Sequence, residues 1–534
     1  MTLSELESLM RKTISKNFPE DAHLFSITEP PSHIKADAST NFAIIVAKKN
    51  GIKIADVYKK ISDNFDTLGI STELAGGFIN IYFGKNIYAN YISGILSSSS
   101  PFIKNENTDK KVIIEFVSAN PTGPLHLASA ISASLGDSIS SIMKELGYTV
   151  FKEYYVNDAG NQVEMLGRSL LSRYTNTPLP EDGYHGEYLI EIAKKLPDVA
   201  AEWAKNNDIK KFSDFALKEI LEQQKKDLED FGLTFDNWFF ESELHKKGIS
   251  DETLKLLEDR GAVEYRDGAK WLKSADNLID KENVLVKSNG LKTYFLNDLA
   301  YHRTKYERGF NWIIDIWGAD HHGHISRMKS GVKMLGFDET KFTVILHQLI
   351  SIKRGSEILK MSKRSGTFYT LREMMEETSK DAIRFFFTMR SPDTHIIFDI
   401  DLAKKQTSEN PLYYVQYAHS RINSVIENAK AKGFDTDISE LSKYELSDDD
   451  RIIFKKLFWF EKSLNQCVKD LSPHHLTTYL IELAKEFHSY YERNRVIDET
   501  NPDTTLARIT ILKAIKFTIK KGLDLLGVSA PERM

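Results

Sequence analysis

The sequence predicts an α/β fold: a doubly wound, Rossmann-like parallel sheet, preceded by an α+β domain and followed by an all-α helical bundle. Three observations predict it. Strand–loop–helix units recur near Val112 and near Trp312, a long, mostly helical and charged insertion from about Met165 to Asn289 separates them, and from about Asp401 only amphipathic helical patterns follow. A chain of 534 residues, at roughly 100–200 per domain, should hold about three domains. We place them at 1–105, 106–400 (with the insertion at about 165–289) and 401–534.

The first hundred residues alternate helical and strand-like patterns until Ser97-Ser98-Ser99-Ser100-Pro101 and the polar stretch Lys104 to Lys111 mark a boundary. Val112 to Val117, apolar and rich in β-branched residues, reads as a buried strand that enters the turn-forming Asn120-Pro121-Thr122-Gly123-Pro124. Helical spacing then runs from Leu125 to Leu146, Gly147 is placed to end it, and Tyr148 to Val156 reads as the next strand. The second unit repeats the order: strand Trp312 to Trp317, loop Gly318-Ala319-Asp320-His321-His322-Gly323, helix to Leu335, and strand Phe342 to Leu346. In such a sheet, ligands sit where loops leave the carboxyl ends of the strands. The C-terminal helices are expected at Tyr413 to Ala429, Arg451 to Lys469, Thr477 to Tyr491 and Thr504 to Leu526.

Composition narrows the function classes. Hydrophobic residues at 41% and charged residues at 28% are ordinary for a globular protein and argue against disorder. The N-terminus reads as an amphipathic helix rather than a secretory signal, and nowhere do ~18 apolar residues run together to span a bilayer. A single cysteine, Cys467, excludes an internal disulfide and speaks against a thiolate zinc site. We therefore expect a cytoplasmic protein with no membrane association and no tightly bound metal. A net charge of −5 gives no hint of a polyanionic partner, although a local basic surface remains compatible with it.

Two loops carry chemistry. Asn120 to His126 opens a helix directly after a strand, where unpaired N–H groups and the helix dipole suit a phosphate. It matches neither the Walker phosphate loop nor the G-x-G-x-x-G dinucleotide fingerprint, and taken alone it also suits a ligand-free turn. Lys360-Met361-Ser362-Lys363-Arg364-Ser365-Gly366 places lysines three apart, able to neutralise charge as pyrophosphate leaves; taken alone it reads more readily as a solvated basic loop.

Together these residues resemble the two signatures of class I aminoacyl-tRNA synthetases. Glu115 to Gly136, EFVSANPTGPLHLASAISASLG, is similar to the arginyl-tRNA synthetase version of the HIGH region, and Lys360 to Lys363 is a complete KMSK. The resemblance continues through Tyr154 to Gln162, Tyr184-His185-Gly186, Trp317 to His322 and Asn410 to His419, and it ends at Gly527 to Met534. It thus spans the chain.

The resemblance implies a two-step reaction: arginine's carboxylate attacks the α-phosphate of ATP, and the adenylate is then passed to the terminal ribose of tRNA(Arg). It implies His126, Lys360, Ser362 and Lys363 as catalytic residues, with magnesium bridging phosphate oxygens. ATP would be bound by Asn120, Pro121, Thr122, Gly123, Pro124, Leu125, His126, Leu127, Ala128, Ser129, Gly318, Asp320, His321 and Met361. L-arginine would be bound by Glu115, Ser118, Asn120, Ser129, Tyr294, Asp298 and Asp320. A guanidinium offers five donors in a fixed fork and needs a carboxylate in planar reach; Tyr294 and Asp298, four apart on a helix, share a face and match the family's guanidinium-binding pair. The resemblance further implies an N-terminal domain that binds the tRNA elbow, through Asn41 to Lys49 and Gly76 to Asn80. C-terminal helices would contact the anticodon, with Tyr413, Tyr414 and Tyr417 read as core in preference to base-stacking platforms. We expect a monomer.

His321, His322 and His324 fit a nucleotide pocket better than a metal site. The chain departs from HIGH at Leu127-Ala128-Ser129, giving HLAS, where alanine adds a methyl group and serine replaces a second histidine. Ile131-Ser132 also replaces a basic–glycine pair. These departures keep a catalytically lapsed tRNA-binding paralogue as an alternative, beside another class I synthetase such as the cysteine enzyme, which needs no carboxylate for its side chain.

Overall fold

In the computed structural model, residues 2–31, 33–98, 101–102, 107–273, 283–359, 369–434 and 446–534 are described. The N-terminal portion is α+β: helix Leu3–Ile14, closed at its start by a Thr2/Glu5 capping box, packs with three further helices against strands β1 (Ala38–Thr40), β2 (Ile70–Ala75) and β3 (Phe78–Phe83). The sheet is antiparallel in the order β1-β3-β2. Gly76 and Gly77, with φ of 58° and 90°, make the two-residue β2–β3 turn, which needs left-handed backbone at both positions.

The central sheet begins with β4 (Lys111–Glu115), β5 (Thr149–Val156) and β6 (Asn237–Phe240). Strands β7 (Val263–Arg266), β8 (Ala269–Leu272) and β9 (Val284–Val286) form a separate antiparallel sheet, after which β10 (Trp312–Gly318) and β11 (Phe342–His347) complete the central one. Its order is β11-β10-β4-β5-β6, and every pairing is parallel. The order reverses between β4 and β10, so the crevice lies between the loops leaving those two strands. Side chains alternate along β4: Val112 and Ile114 pack into the main core, while Ile113 joins Ile313, Phe342, Leu296 and Met328 on the opposite face.

The interval expected to be a mostly helical insertion carries helices Asn161–Thr175 and Ile209–Asp230, but also β6, which extends the central sheet, and the β7–β9 sheet. These strands are three or four residues long, and β6 is half-buried throughout, so no two-residue alternation announces it. A further small sheet, of strands three to five residues long, also went unexpected: β12 (Ile350–Arg354), β13 (Glu357–Leu359) and β14 (Ile396–Asp399), in the order β13-β12-β14.

Beyond residue 400 the described chain is helical, with long helices Pro411–Ala431, His474–Arg493 and Pro502–Leu525. The helix expected from Arg451 to Lys469 is two, Asp448–Phe458 and Phe460–Lys469, separated by Trp459, whose indole donates to the Asp37 carbonyl at 3.2 Å. Tyr91 donates to the Leu457 carbonyl at 2.7 Å, and Phe83 and Tyr91 lie against Phe458, so the N-terminal portion docks on the helical bundle. No helix among the described residues is long and apolar enough to cross a membrane.

Candidate active site

The turn that leaves β4 is strained and multiply held. Val117 and Ser118 adopt φ of 69° and 40°, left-handed values that a β-branched residue such as valine rarely takes. The Val117 N–H donates to Ser132 Oγ at 2.9 Å, and the Ser118 hydroxyl donates to Glu115 Oε1 at 2.9 Å while accepting from the Tyr155 N–H at 3.1 Å. Ser132, one of the departures from the expected pattern, thus anchors the kink. Further along, the Tyr154 hydroxyl donates to the Ala119 carbonyl at 2.9 Å, and Gln224 donates to the carbonyls of Asn120 and Gly123 at 3.3 and 2.8 Å. Asn120 donates to Gln162 at 2.9 Å, and Tyr188 donates to the Thr122 carbonyl.

The helix Leu127–Glu145 then begins with His126 at its N-cap, in extended backbone, and no side chain caps it. Such an end presents donors to an anion. Leu127 N–H donates to the Tyr369 carbonyl at 3.0 Å, and Leu371 N–H to the Leu125 carbonyl at 2.8 Å, so the turn is clamped to the chain that follows residue 368. Lys360, Met361, Ser362 and Lys363 lie outside the described residues. Pro121 is buried and Thr122, Gly123 and Pro124 are half-buried. The side chains of Leu125 and Leu127 are 1% and 0% exposed and pack the core beneath the turn. Ala128 is exposed and Ser129 half-buried.

On the β10 side, Asp320 and His321 are exposed and lie 3.9 Å apart, and the Asp320 charge also acts on His347 at the end of β11. Desolvation holds the His347 imidazole below its ordinary pKa. Gly318 leaves room that a Cβ would take from the Asp320 carboxylate, at 2.6 Å. The His324 ring meets Asp298 at 3.0 Å.

Asp298 belongs to helix Tyr294–Glu307, with Tyr294 one turn earlier and 66% exposed. The Tyr294 hydroxyl reaches to 3.9 Å from where a Gly160 Cβ would stand, at the start of the helix after β5. Sequence reasoning missed a second carboxylate here. Glu241, buried at the end of β6, accepts from Asn297 at 3.1 Å and from Asn157, its amide oriented by its partners, at 2.8 Å. Burial pushes the Glu241 carboxyl above its ordinary pKa, the Asn297 hydrogen bond opposes this, and repulsion from Asp298 and Asp158 adds to it. The Tyr155 hydroxyl is raised by desolvation and by the charges of Glu241 and Asp298. Carboxylates that repel one another in this way favour a cationic ligand. Glu241 became visible only when β6 was placed beside β5.

Behind the pocket, Asp315, Glu115 and Glu153 stand side by side on β10, β4 and β5. Lys305, fully buried, donates to Glu115 at 2.6 Å and to Asp315 at 2.7 Å; Arg308 grips Glu153 with two bonds of 2.6 and 2.8 Å. Burial works against the Lys305 charge, but Asp315 and Glu115 outweigh it and raise its pKa. Burial likewise opposes the Glu153 charge, and the Arg308 pair overcomes it and lowers the carboxyl. Glu115, sharing its lysine with Asp315, stays above the ordinary range because of burial. Among the described residues no group of three His, Cys, Asp or Glu side chains is gathered to hold a metal ion.

In the C-terminal bundle, the rings of Tyr413 and Tyr417 stack at 6.0 Å, and Tyr417 stacks on His488 at 5.8 Å. Tyr414 is half-buried and packs against the main core as expected, whereas Tyr417 is exposed and Tyr413 half-buried, which corrects the expectation that those two are core.

Comparison with known proteins bears on all three portions. Residues 4–83 match the model of the arginyl tRNA synthetase N-terminal domain, 91–183 and 186–424 that of the class I (R) tRNA synthetase catalytic domain, and 415–534 that of the DALR anticodon binding domain. The arginine–tRNA ligase of Elusimicrobium minutum is 45% identical over 515 residues, covering 95% of each chain. That of Thermotoga maritima is 39% identical over 550 residues, covering all of both. Among solved structures, a putative arginyl-tRNA synthetase from Campylobacter jejuni aligns with a TM-score of 0.77 at 31% identity, over 85% of this chain and all of that one. The Thermus thermophilus arginyl-tRNA synthetase aligns over the full length of both chains with a TM-score of 0.78 at 19% identity.

Proposed function

The chain belongs to the arginyl-tRNA synthetase family and is an ATP-dependent arginine–tRNA ligase, and from that premise we propose which of its residues carry the reaction. The observation that carries the assignment is the cluster of Asp298 and Asp158 about Glu241, with Tyr155 beside Glu241 and Asp298, near the switch point of the sheet. Arginine's guanidinium docks on Asp298 and Tyr294, with Glu241 as the deeper carboxylate. Ser118, aimed by the kink and by Glu115, together with Asn120 and Ser129, holds the amino and carboxylate groups.

ATP lies across the β4 and β10 loops. Its phosphates meet the uncapped N-terminus of helix Leu127–Glu145 beside His126, and its base and ribose lie along Gly318 to His321. Magnesium brought with ATP would supply charge neutralisation at the phosphates. The arginine carboxylate oxygen bonds to the α-phosphorus as the α–β bridging P–O bond breaks, and pyrophosphate leaves against Lys360 and Lys363, with Ser362 and Met361 on the same loop. The 3′-terminal ribose hydroxyl then attacks the carbonyl carbon, loses its proton, and AMP departs. No protein nucleophile is needed; positioning and charge stabilisation supply the rate. Ala128 and Ser129 lie toward the crevice surface, so HLAS leaves the helix packing intact and the enzyme active.

The stacked Tyr413, Tyr417 and His488 rings suit unstacked anticodon bases. We read the chain as a monomer acting in the cytoplasm, where its tRNA is used. The deciding experiment is aminoacylation of total tRNA with each labelled amino acid in turn. Charging with arginine alone is expected, and Asp298→Asn should raise the arginine KM about a hundredfold; charging with another amino acid overturns the pocket.

A further inference from the structure

What holds Asp298 in place is a question that rests on reading it as the guanidinium ligand. Its side chain is 38% exposed, and a half-free carboxylate on a helix surface samples several rotamers. One of its oxygens, Oδ2, lies 3.0 Å from Nε2 of His324. The other ring nitrogen of His324 lies 3.0 Å from Nε of Arg327, one turn further along helix His322–Met334. A guanidinium has only donors, so Nδ1 of His324 accepts, and the single imidazole proton sits on Nε2 and points at Asp298. The two hydrogen bonds set both the tautomer and the neutral charge of the ring.

Aromatic walls keep this arrangement upright. The His324 ring lies 5.4 Å from Trp317 on β10 and 6.0 Å from Phe295 on the arginine-pocket helix, and the Arg327 guanidinium lies 4.9 Å over the same Phe295 ring. The pair therefore spans the two elements that must stay in register for the pocket to keep its shape.

We propose that His324 and Arg327 are positioning residues for amino-acid recognition: they commit one oxygen of Asp298 to the His324 Nε2–H and present the other, with the carboxylate plane fixed, to the incoming guanidinium. A neutral imidazole orients Asp298 without cancelling its charge. A lysine or arginine in direct contact with Asp298 would compete with the substrate for it. Arg327 is held one ring away, where it fixes the tautomer and does not occupy the carboxylate.

The test is steady-state aminoacylation at saturating ATP and tRNA. His324→Ala should raise the arginine KM roughly tenfold while kcat stays within about twofold and the ATP KM is unchanged. His324→Gln, whose amide also offers one donor and one acceptor on a neutral frame, should recover most of the affinity. Should the alanine variant fail to fold, His324→Leu fills the space between Trp317 and Phe295 and serves the same comparison. An unchanged arginine KM in the alanine or leucine variant, while Asp298→Asn raises it, overturns the relay alone. An equal rise in the glutamine variant also overturns the relay. A wild-type KM in Asp298→Asn overturns the reading of the pocket and the relay with it.

Discussion

Glu241 shows how a single side chain acquires a function from its surroundings. Burial and the nearby charges of Asp298 and Asp158 hold its carboxyl above the ordinary value of 4.5, so it takes up a proton at a higher pH than an exposed glutamate. Arginine's guanidinium stays charged throughout that range. As pH falls through the raised value, Glu241 loses its charge and the pocket loses part of its attraction. The arginine KM of the wild type should therefore climb on an acid limb beginning above the usual glutamate range. Glu241→Gln should start from a higher KM at neutral pH and lack that limb; a wild-type pH profile in this variant removes Glu241 from the pocket. Tyr294 and Asp298 could be proposed from the sequence because they match the family's guanidinium-binding pair at a spacing that puts them on one helix face. Glu241 could not, because nothing in the Phe240-Glu241-Ser242 stretch says that β6 ends beside Tyr155.

At the scale of elements, the parallel strands β10, β4 and β5 carry a buried row of carboxylates that helix Tyr294–Glu307 and the residue after it neutralise. Glu153 has no exposed surface, and Arg308 donates to both its oxygens. Its lowered pKa means that the pair stabilises the fold at pH values above 4.5, and that this contribution fades as pH falls through the depressed value. Arg308→Met should leave a buried, unpaired carboxylate at neutral pH and cost about 3 kcal/mol. The melting-temperature gap to the wild type should narrow as pH is lowered and the stranded carboxylate becomes protonated. A gap that is small at pH 7, or that widens in acid, contradicts the role given to Arg308. The same helix thus has two ends with different work: its first turns carry the Tyr294 and Asp298 proposed for arginine, and its last turn holds the sheet.

Across the whole molecule, one buried side chain ties the central portion to the helical bundle. Arg384 is fully buried; it donates to the Leu526 carbonyl at 2.8 Å, to the Phe231 carbonyl at 3.3 Å, and to Asp137 in the helix that opens at His126. Gly527, at φ 66°, lets the C-terminal chain pass where a Cβ would stand 2.2 Å from the guanidinium. Arg384→Met leaves Asp137 with Lys152 as its one cationic partner and frees two buried carbonyls, so a loss of about 3 kcal/mol is expected. Because one hydrophobic core runs from the N-terminal helices through the central sheet into the bundle, calorimetry should show a single transition at a lowered temperature. A variant that melts as one unit at the wild-type temperature contradicts that role.

The sequence by itself determined the order of the central elements, the α+β and all-helical flanks, the glycine that ends the His126 helix and the Tyr294–Asp298 face, because each follows from local periodicity, turn chemistry or spacing within a few residues. Motif order along the chain pointed to the same family that the comparisons identify. Tertiary structure decided the rest. The short strands β6 and β12 to β14 exist because neighbouring strands offer them backbone partners, a non-local gain that four residues cannot announce. That the side chains of Leu125 and Leu127 are buried was likewise decided by what lies beneath the turn. The pairing of His324 with Asp298, of Ser132 with the Val117 kink and of Arg384 with Asp137 joins residues 15 to 247 positions apart, through contacts that only the folded chain brings together.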